Sequence, residues 1–279
     1  MLPKLPLNIA YIDARGCTSL ETLSLSLEYD FRPNIYLHNC VKLLNNQGYG
    51  ELLSTILRHY ISEGRYQENR YTYFTIPGSE IPKWYRHQNV GASVNLQVPS
   101  HLLLSNKFKG IAVCAVYIFC QHHPFHQLHT ENYRYMISTH KVCCFVKANG
   151  HQSTRVILPL SEEFGEIESY QLWLEYIHSR HLGSDWEENL NRVDANGFTQ
   201  IEVTFESKGP GLEVTKCGAH VVYEQDIEDL KQTMAGAGSS SCIITPYYEN
   251  ESDDEPEPPH PKWIEHPNLI ENWIGNVCT

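Results

Sequence analysis

The chain has 279 residues, 41% of them hydrophobic, and a formal charge of -12 at pH 7. That size allows one sizeable core with a small appendage, and the acidity argues against nucleic acid as the main partner, because phosphate contacts need clustered Lys and Arg. The longest apolar run, Ile111 to Cys120, is about half of what a membrane-spanning helix needs. No apolar signal region follows Met1-Leu2-Pro3-Lys4. The nine cysteines include no C-x-x-C pair and read as buried thiols of a reducing compartment, not a disulfide framework.

In chain order, Ile9-x-x-Ile12-x-Ala14-x-x-Cys17-x-x-Leu20-x-x-Leu23 has the spacing of one leucine-rich repeat. Ala10 to Ala14 is its predicted short strand, and Cys17 takes the conventional Asn/Cys position. One solenoid unit cannot bury its own apolar edge; about three are needed. Leu5 to Leu27 therefore reads as the last unit of an array whose earlier units are absent, and the chain as a truncated product. Further on, Leu52, Leu53, Ile56, Leu57 and Tyr60 recur at helical spacing and predict an amphipathic helix over Glu51–Tyr60. Its polar face lacks the basic excess that a membrane surface would require.

Tyr73, Phe74, Thr75 and Ile76 then predict a short strand that stops at a rigid corner. Pro77 has no amide donor, Gly78 is free to take positive φ, and Pro82 keeps Ile81 extended. Trp84 and Tyr85 follow as large apolar anchors, with the tryptophan read as the plug of the corner. Beyond it the pattern is strands. Val94, Leu96 and Val98 alternate with polar residues, and Lys109–Phe119 is a long apolar central strand. Tyr133–Lys147 is a second long candidate, and Val156–Leu160 is a short one ending at Pro159. Gln171–Ile177, the alternating Ile201, Val203 and Phe205, and Glu213–Tyr223 complete the set. Many short strands punctuated by Gly and Pro predict a mainly β fold, an antiparallel two-sheet sandwich.

A brief helix is expected from Asp226 to Leu230, and Gly236–Ser241 reads as a flexible linker. Glu249–Pro261 is acidic and proline-rich, with too little apolar surface to fold alone. Trp263, Ile264, Leu269, Ile270, Trp273 and Ile274 form a small apolar tail that reads as docked on its own sandwich, as disordered, or as a short linear motif for another protein. The expected division is a repeat remnant over 1–30, a connecting segment with a helix over 31–70, the sandwich over 71–230 and the tail over 231–279.

No motif of chemistry stands out. The chain has no G-x-S-x-G, no phosphate-cradling glycine loop and no H-E-x-x-H. The densest cluster of metal-ligating residue types is His122, His123, His126 and His129, around Phe125. Four imidazoles in one loop are able to hold a divalent ion, but Pro124 breaks any helix that would align them, and a solvated loop between strands is the simpler account. Two loops are candidates for protein recognition, Gln121–Asn132 and Ser179–Asn196, the second carrying Arg180, His181, Asp185 and Trp186. Trp186 serves equally well as a plug over the sandwich edge.

Phe74-Thr75-Ile76-Pro77-Gly78-Ser79-Glu80-Ile81-Pro82-Lys83-Trp84-Tyr85, followed by Val90-Gly91-Ala92-Ser93-Val94, resembles the opening of the C-JID, the C-terminal jelly-roll/immunoglobulin-like domain. That domain follows the leucine-rich repeats of plant TIR-type NLR immune receptors. Phe108-Lys109-Gly110-Ile111-Ala112-Val113-Cys114-Ala115-Val116 is similar to the family's F-x-G-F-A-x-C-x-V strand. Leu172-Trp173-Leu174-Glu175-Tyr176 is similar to its H-L-W-L-x-Y strand, with Gln171 in place of the His. Lys216-Cys217-Gly218-Ala219-His220-Val221-Val222-Tyr223 is similar to its closing strand. Ile12–Leu23 resembles the final repeat of such receptors, and His38-Asn39-Cys40-Val41-Lys42-Leu43 the motif that follows it.

The resemblance implies a non-catalytic, cofactor-free module that is cytoplasmic or nuclear. Its implied partners are a pathogen effector protein or other receptor chains, with no nucleic acid or membrane partner. It also implies that NAD cleavage resides in a TIR domain that this chain lacks. A lectin-like sandwich that binds sugar, and a metal-binding protein built on the histidine loop, are the alternative readings.

Overall fold

Alternation decides which side chains meet. Val94, Leu96 and Val98 share one side of their strand, and Ile201, Val203 and Phe205 share the same side of its neighbour. In the computed structural model, which describes residues 9, 11–23, 25, 33–45, 48–61, 74–122, 140–160, 169–183, 185–190, 194–209, 211–235 and 262–263, this apolar side builds the smaller of two main sheets. Its order is β5 (Ser93–Pro99), β11 (Phe198–Lys208), β8 (Lys141–Ala148) and β9 (His151–Pro159), all antiparallel. The larger sheet runs β1 (Tyr11–Asp13), β2 (Asn34–Tyr36), β3 (Phe74–Pro77), β10 (Gln171–His178), β6 (Phe108–Phe119), β12 (Leu212–Tyr223) and β4 (His87–Val90). From β3 onward it is antiparallel, whereas β1, β2 and β3 run parallel to one another. A further pair joins β7 (Gln121–His122) to β13 (Lys262–Trp263). The helices are α1 (Tyr49–Ile61), the short α2 (Ser100–Leu103) and α3 (Trp186–Leu190), and α4 (Glu224–Ala235). The chain is the mainly β, two-sheet sandwich that the strand pattern predicts.

Two hydrophobic cores lie on the two faces of the larger sheet. Between the sheets, Trp173 sits among Val113, Ala115, Val203 and Phe205, edge-on to Phe205 at 6.0 Å. On the other face, Leu52, Leu53 and Ile56 of α1 and Ile227 and Leu230 of α4 cover Phe74, Cys114, Leu172 and Leu174. Ile12, Leu20, Ile35 and Leu43, the inward residues of the N-terminal repeat region, belong to this second core. One row across the sheet shows the division: Ile12, Ile35, Phe74, Leu174, Cys114 and Gly218 lie side by side on the helix face.

The corner after β3 differs from its sequence reading in two respects. Gly78 does not adopt positive φ. It is glycine because the Tyr49 hydroxyl, which donates to the Pro77 carbonyl at 2.7 Å, would lie 2.6 Å from any Cβ there. The buried plug is Tyr85, whereas Trp84 is half-buried and lies over the His220 ring at 4.2 Å. Ile81 and Tyr85 press onto β12 at Gly218, where a Cβ would stand 2.8 Å from Ile81 Cγ2 and 3.0 Å from Cys114 Sγ. Lys216 then ties β12 back to Glu80 by an ion pair.

Other boundaries moved for local reasons. β9 starts at His151, well before Val156, because Asn149 and Gly150 both take positive φ and close a two-residue hairpin with β8. In the second long candidate, the described strand begins at Lys141; residues 133–139 lie outside the described residues. α4 begins at Glu224, with the Asp226 carboxylate accepting the Tyr223 amide at 2.8 Å, and runs past Leu230 to Ala235. Of the tail, only Lys262 and Trp263 are among the described residues.

Gly218→Ala is expected to destabilise the fold by about 1–3 kcal/mol, because both neighbours of the added methyl are themselves fully packed. Urea unfolding at constant m-value measures it, and a loss below a few tenths of a kcal/mol would contradict this account of the corner.

Candidate recognition face

In the repeat region, every second residue points away from the core. Ile12 and Ala14 turn inward, so Tyr11, Asp13 and Arg15 turn to the other face; Ile35 and Leu37 turn inward, so Tyr36 faces with them. Matching positions recur at one offset, Ile12 with Ile35, Ala14 with Leu37, Cys17 with Cys40 and Leu20 with Leu43, all of them buried except the exposed Cys17. That offset lies inside the roughly 20–29-residue period of leucine-rich repeats. The parallel ladder pairs Ile12 with Ile35 in register. A second strand of repeat spacing therefore lies between the first and the sandwich, and the self-similarity was the signal for it.

The outward residues form a graded row. Asp13 pairs with Tyr36, Tyr36 with Thr75, and Thr75 with Trp173. Exposure falls along it: Asp13 is exposed, Tyr36 half-buried, and Thr75 and Trp173 fully buried under the smaller sheet. The face of the repeat strands is thus the same surface that becomes the sandwich interior. At its open end Tyr11 is 49% exposed and its ring lies 5.2 Å from that of Tyr36. Arg15 stands over the Tyr36 ring at 5.7 Å and donates through Nε to Asp13 Oδ1 at 2.8 Å. Those hydrogen bonds hold the Asp13 carboxyl below its usual range, against the effect of burial. Arg15 and Asp13 together make a neutral, stacked unit, not an anion trap.

At the buried end, His38 is 1% exposed, with Nε2 2.6 Å from the Tyr117 hydroxyl and Nδ1 3.4 Å from Thr75 Oγ1. Burial, helped by the Arg15 charge and opposed by Asp13, lowers the His38 pKa to about 3. It is neutral at physiological pH and serves as a joint, linking the second repeat strand to β6 two residues before that strand ends.

The two candidate recognition loops are anchored at opposite ends of β6. Gln121–Asn132 leaves the Phe119 end of β6, while Ser179–Asn196 leaves β10 beside Gly110, at the other end. The length of β6 separates them, about 35–40 Å. The ledge of Tyr11, Tyr36 and His38 belongs to the first end, since β3 pairs with Gln171–Leu174 and these with Cys114–Tyr117. His123, Phe125, His126 and His129 lie outside the described residues, as does the side chain of His122. Arg180, His181 and Asp185 are exposed at the far end. Trp186 is 5% exposed and stacks on Phe108 at 6.3 Å, so it plugs the sandwich and offers no contact surface.

The motif residues are structural. Pro77, Ile81 and Pro82 are buried in the corner, and Gly110 allows Ile177 O to approach to within 2.3 Å of a would-be Cβ. Burial raises the thiols of Cys114 and Cys144, and that of Cys217 to about 11, so none is a poised nucleophile. Among the described residues no group of three His, Cys, Asp or Glu is placed to hold a metal, and no helix is long and apolar enough to cross a membrane.

A family model described as the C-JID domain matches residues 76–228, more than half of the chain, from β3 into α4. The chain belongs to the C-JID family. Three proteins of Arabidopsis thaliana are similar to a longer stretch of this C-JID chain than the family model matches. Disease resistance protein RPS4B is 27% identical over 81% of the chain, and RPP2B 24% over 82%. Disease resistance-like protein DSC1 is 30% identical over 83%. The chain spans about a fifth of the length of these relatives, 20% of the first and 21% of the other two. A Paenibacillus cycloisomaltooligosaccharide glucanotransferase aligns at a TM-score of 0.20 with 8% identity, too low to carry any argument.

The His38 joint makes the C-JID fold sensitive to acid. The unfolded chain takes up a proton on this residue below pH 6.5, and the folded chain does not until about 3. Stability is therefore fully present above pH 6.5 and falls as pH drops toward 3, by about 1.4 kcal/mol per unit from this group. Denaturant unfolding of wild type and His38→Gln between pH 7 and 5 is expected to show a shallower slope in the variant. Equal slopes would overturn the assignment.

Proposed function

We propose that this chain is a non-catalytic interaction module of a plant intracellular immune receptor, contributing to recognition of a pathogen effector protein. The observation that carries this reading is the stacked pair Tyr11 and Tyr36 on the repeat strands, joined through the buried His38 to Tyr117 near the end of β6. Tyrosine and arginine are the residue types that dominate binding energy at protein interfaces. Here both are pre-set, Tyr36 between a second ring and a guanidinium, so little rotamer entropy remains to be lost on contact. The effector seats on this ledge and reaches the Gln121–Asn132 loop, which leaves the same end of the sandwich. The family likeness supports the receptor context, and the names of the relatives support a role in disease resistance.

Contact with NAD or ATP forms no part of this role. Incubation of the purified chain with NAD is expected to leave the dinucleotide intact; turnover above a buffer blank would refute the non-catalytic reading.

The recognition reading is tested in leaf tissue, with the effector that the receptor answers. Tyr11→Ala with Tyr36→Ala is expected to weaken co-precipitation by at least about 30-fold, the scale of a hot-spot loss of 2 kcal/mol. Replacing Gln121–Asn132 by Gly/Ser has the same direction of effect, and Arg180→Ala, His181→Ala and Asp185→Ala combined leave capture unchanged because these exposed side chains lie on the loop at the far end. Loss of capture only with the far loop would reject the ledge as the contact surface.

A further inference from the structure

The helix-facing side of the larger sheet is covered by α1 and α4. The outer face of the smaller sheet carries no comparable layer among the described residues: its outward side chains Gln200, Glu206 and Lys208 on β11 and Arg155 on β9 are exposed. At its centre Cys143 lies between Ile157 and Glu206, and Phe145 between Arg155 and Thr204. Cys143 is only 1% exposed, and Phe145 and Ile157 are half-buried. At the next pair toward the Phe119 end of the sandwich, Lys141 lies directly opposite Lys208. Two like charges face to face across a ladder repel one another. Lys208 approaches Glu206 at 3.9 Å and Lys147 approaches Glu202 at 3.2 Å, while Lys141 and Arg155 have no ion pair among the described residues. In a chain of formal charge -12, this corner is locally basic.

The same chain carries the opposite charge. Glu249, Glu251, Asp253, Asp254, Glu255 and Glu257 fall within nine consecutive residues that contain no Lys or Arg. Residues 236–248 separate them from α4 and, extended at about 3.4 Å each, reach about 45 Å. Three stacked layers about 10 Å apart are well within that span. The strand pairing supplies a second observation. Lys262 and Trp263 pair with Gln121 and His122, just beyond β6, at the end of the sandwich where Lys141 and Lys208 lie.

We propose that the acidic segment Glu249–Glu257 docks in cis across the Lys141, Arg155 and Lys208 corner, held between α4 and the β7–β13 pair. It supplies counter-charge to Lys141 and Arg155 and shields the half-buried Phe145 and Ile157 of its own sandwich.

The full chain is treated at low micromolar concentration with a zero-length carbodiimide, and the monomer band is mapped by mass spectrometry. Lys141 and Lys208 are expected to join to Glu249–Glu257 at a yield several-fold above that of Lys42, which sits on the repeat. The links are lost in about 1 M salt, where screening is complete beyond roughly 3 Å. Acylation by an amine-reactive ester gives an independent readout on an intact sandwich. Asp253→Asn, Asp254→Asn, Glu255→Gln and Glu257→Gln combined are expected to raise labelling of Lys141 and Lys208 several-fold relative to Lys42. Links spread evenly over all exposed lysines, or unchanged labelling in the neutralised variant, would overturn the proposal. Links found only in a dimer band would overturn it too, assigning the corner to a second copy's tail.

Discussion

The repeat side of this molecule depends on one lateral contact, the parallel pairing of β2 on β3, with Ile35 opposite Phe74 and Tyr36 opposite Thr75. A repeat strand presents an open row of backbone donors and acceptors, and such an edge must be paired or covered. Here the sandwich supplies the next strand. The pairing fixes which side of the repeat joins which core, because a slip of one residue would exchange the two faces. With Ile35 beside Phe74, the inward residues of the repeat run into the core under α1, and the outward residues run into the core between the sheets. Two repeat-like strands are too few to close a solenoid core. They hold because α1 and β3 complete that core from the sandwich side.

The corner after β3 follows from the same requirement. β3 is fully buried, so its last residue must hand the chain out of the sheet without leaving an unpaired carbonyl. Tyr49, at the start of α1, accepts that task by donating its hydroxyl to Pro77 O, and Gly78 makes room for the ring and donates its own amide to Tyr170 O. The chain then folds Ile81 and Tyr85 down onto Gly218. Two glycines distant in sequence are thus explained by one close approach each, neither by a left-handed turn. The corner decides where α1 sits, and α1 decides how the repeat is supported.

Much of this was legible in the sequence, for identifiable reasons. The strands announced themselves where one face is buried and the other wet, as in Val94–Val98 and Ile201–Phe205, because alternation is then enforced by solvent. β9 was read short because its first half is polar on both faces; the Asn149-Gly150 turn was the available cue, and it fixes the hairpin where side-chain patterning is silent. The sequence marks both Trp84 and Tyr85 as large anchors, and the deeper position belongs to Tyr85, set by which residue meets Gly218. The ledge was missed altogether. Its residues, Tyr11, Asp13, Arg15 and Tyr36, are the variable positions of a repeat, so they carry no motif, and their relation to β6 arises only from strand order. Trp186 stood out in the sequence as an aromatic on a loop, a composition that fits both a contact anchor and a plug. Only its stacking on Phe108 separates the two.

The placement of His38 explains how a surface for binding and a buried core can share one row of side chains. A charged or poorly paired group at the boundary between ledge and sandwich interior would incur a desolvation cost of several kcal/mol. An aliphatic residue there would satisfy the core but leave the Tyr117 hydroxyl without this partner. A neutral imidazole touches Tyr117 with one nitrogen and approaches Thr75 with the other, while its ring faces Tyr36 at 6.3 Å. Packed rings thus run from the exposed pair Tyr11–Tyr36 through His38 to Tyr117, two residues before β6 ends. That is why the two ends of the sandwich are not equivalent, although both carry loops of similar composition: only one of them is connected, residue to residue, to the repeat strands.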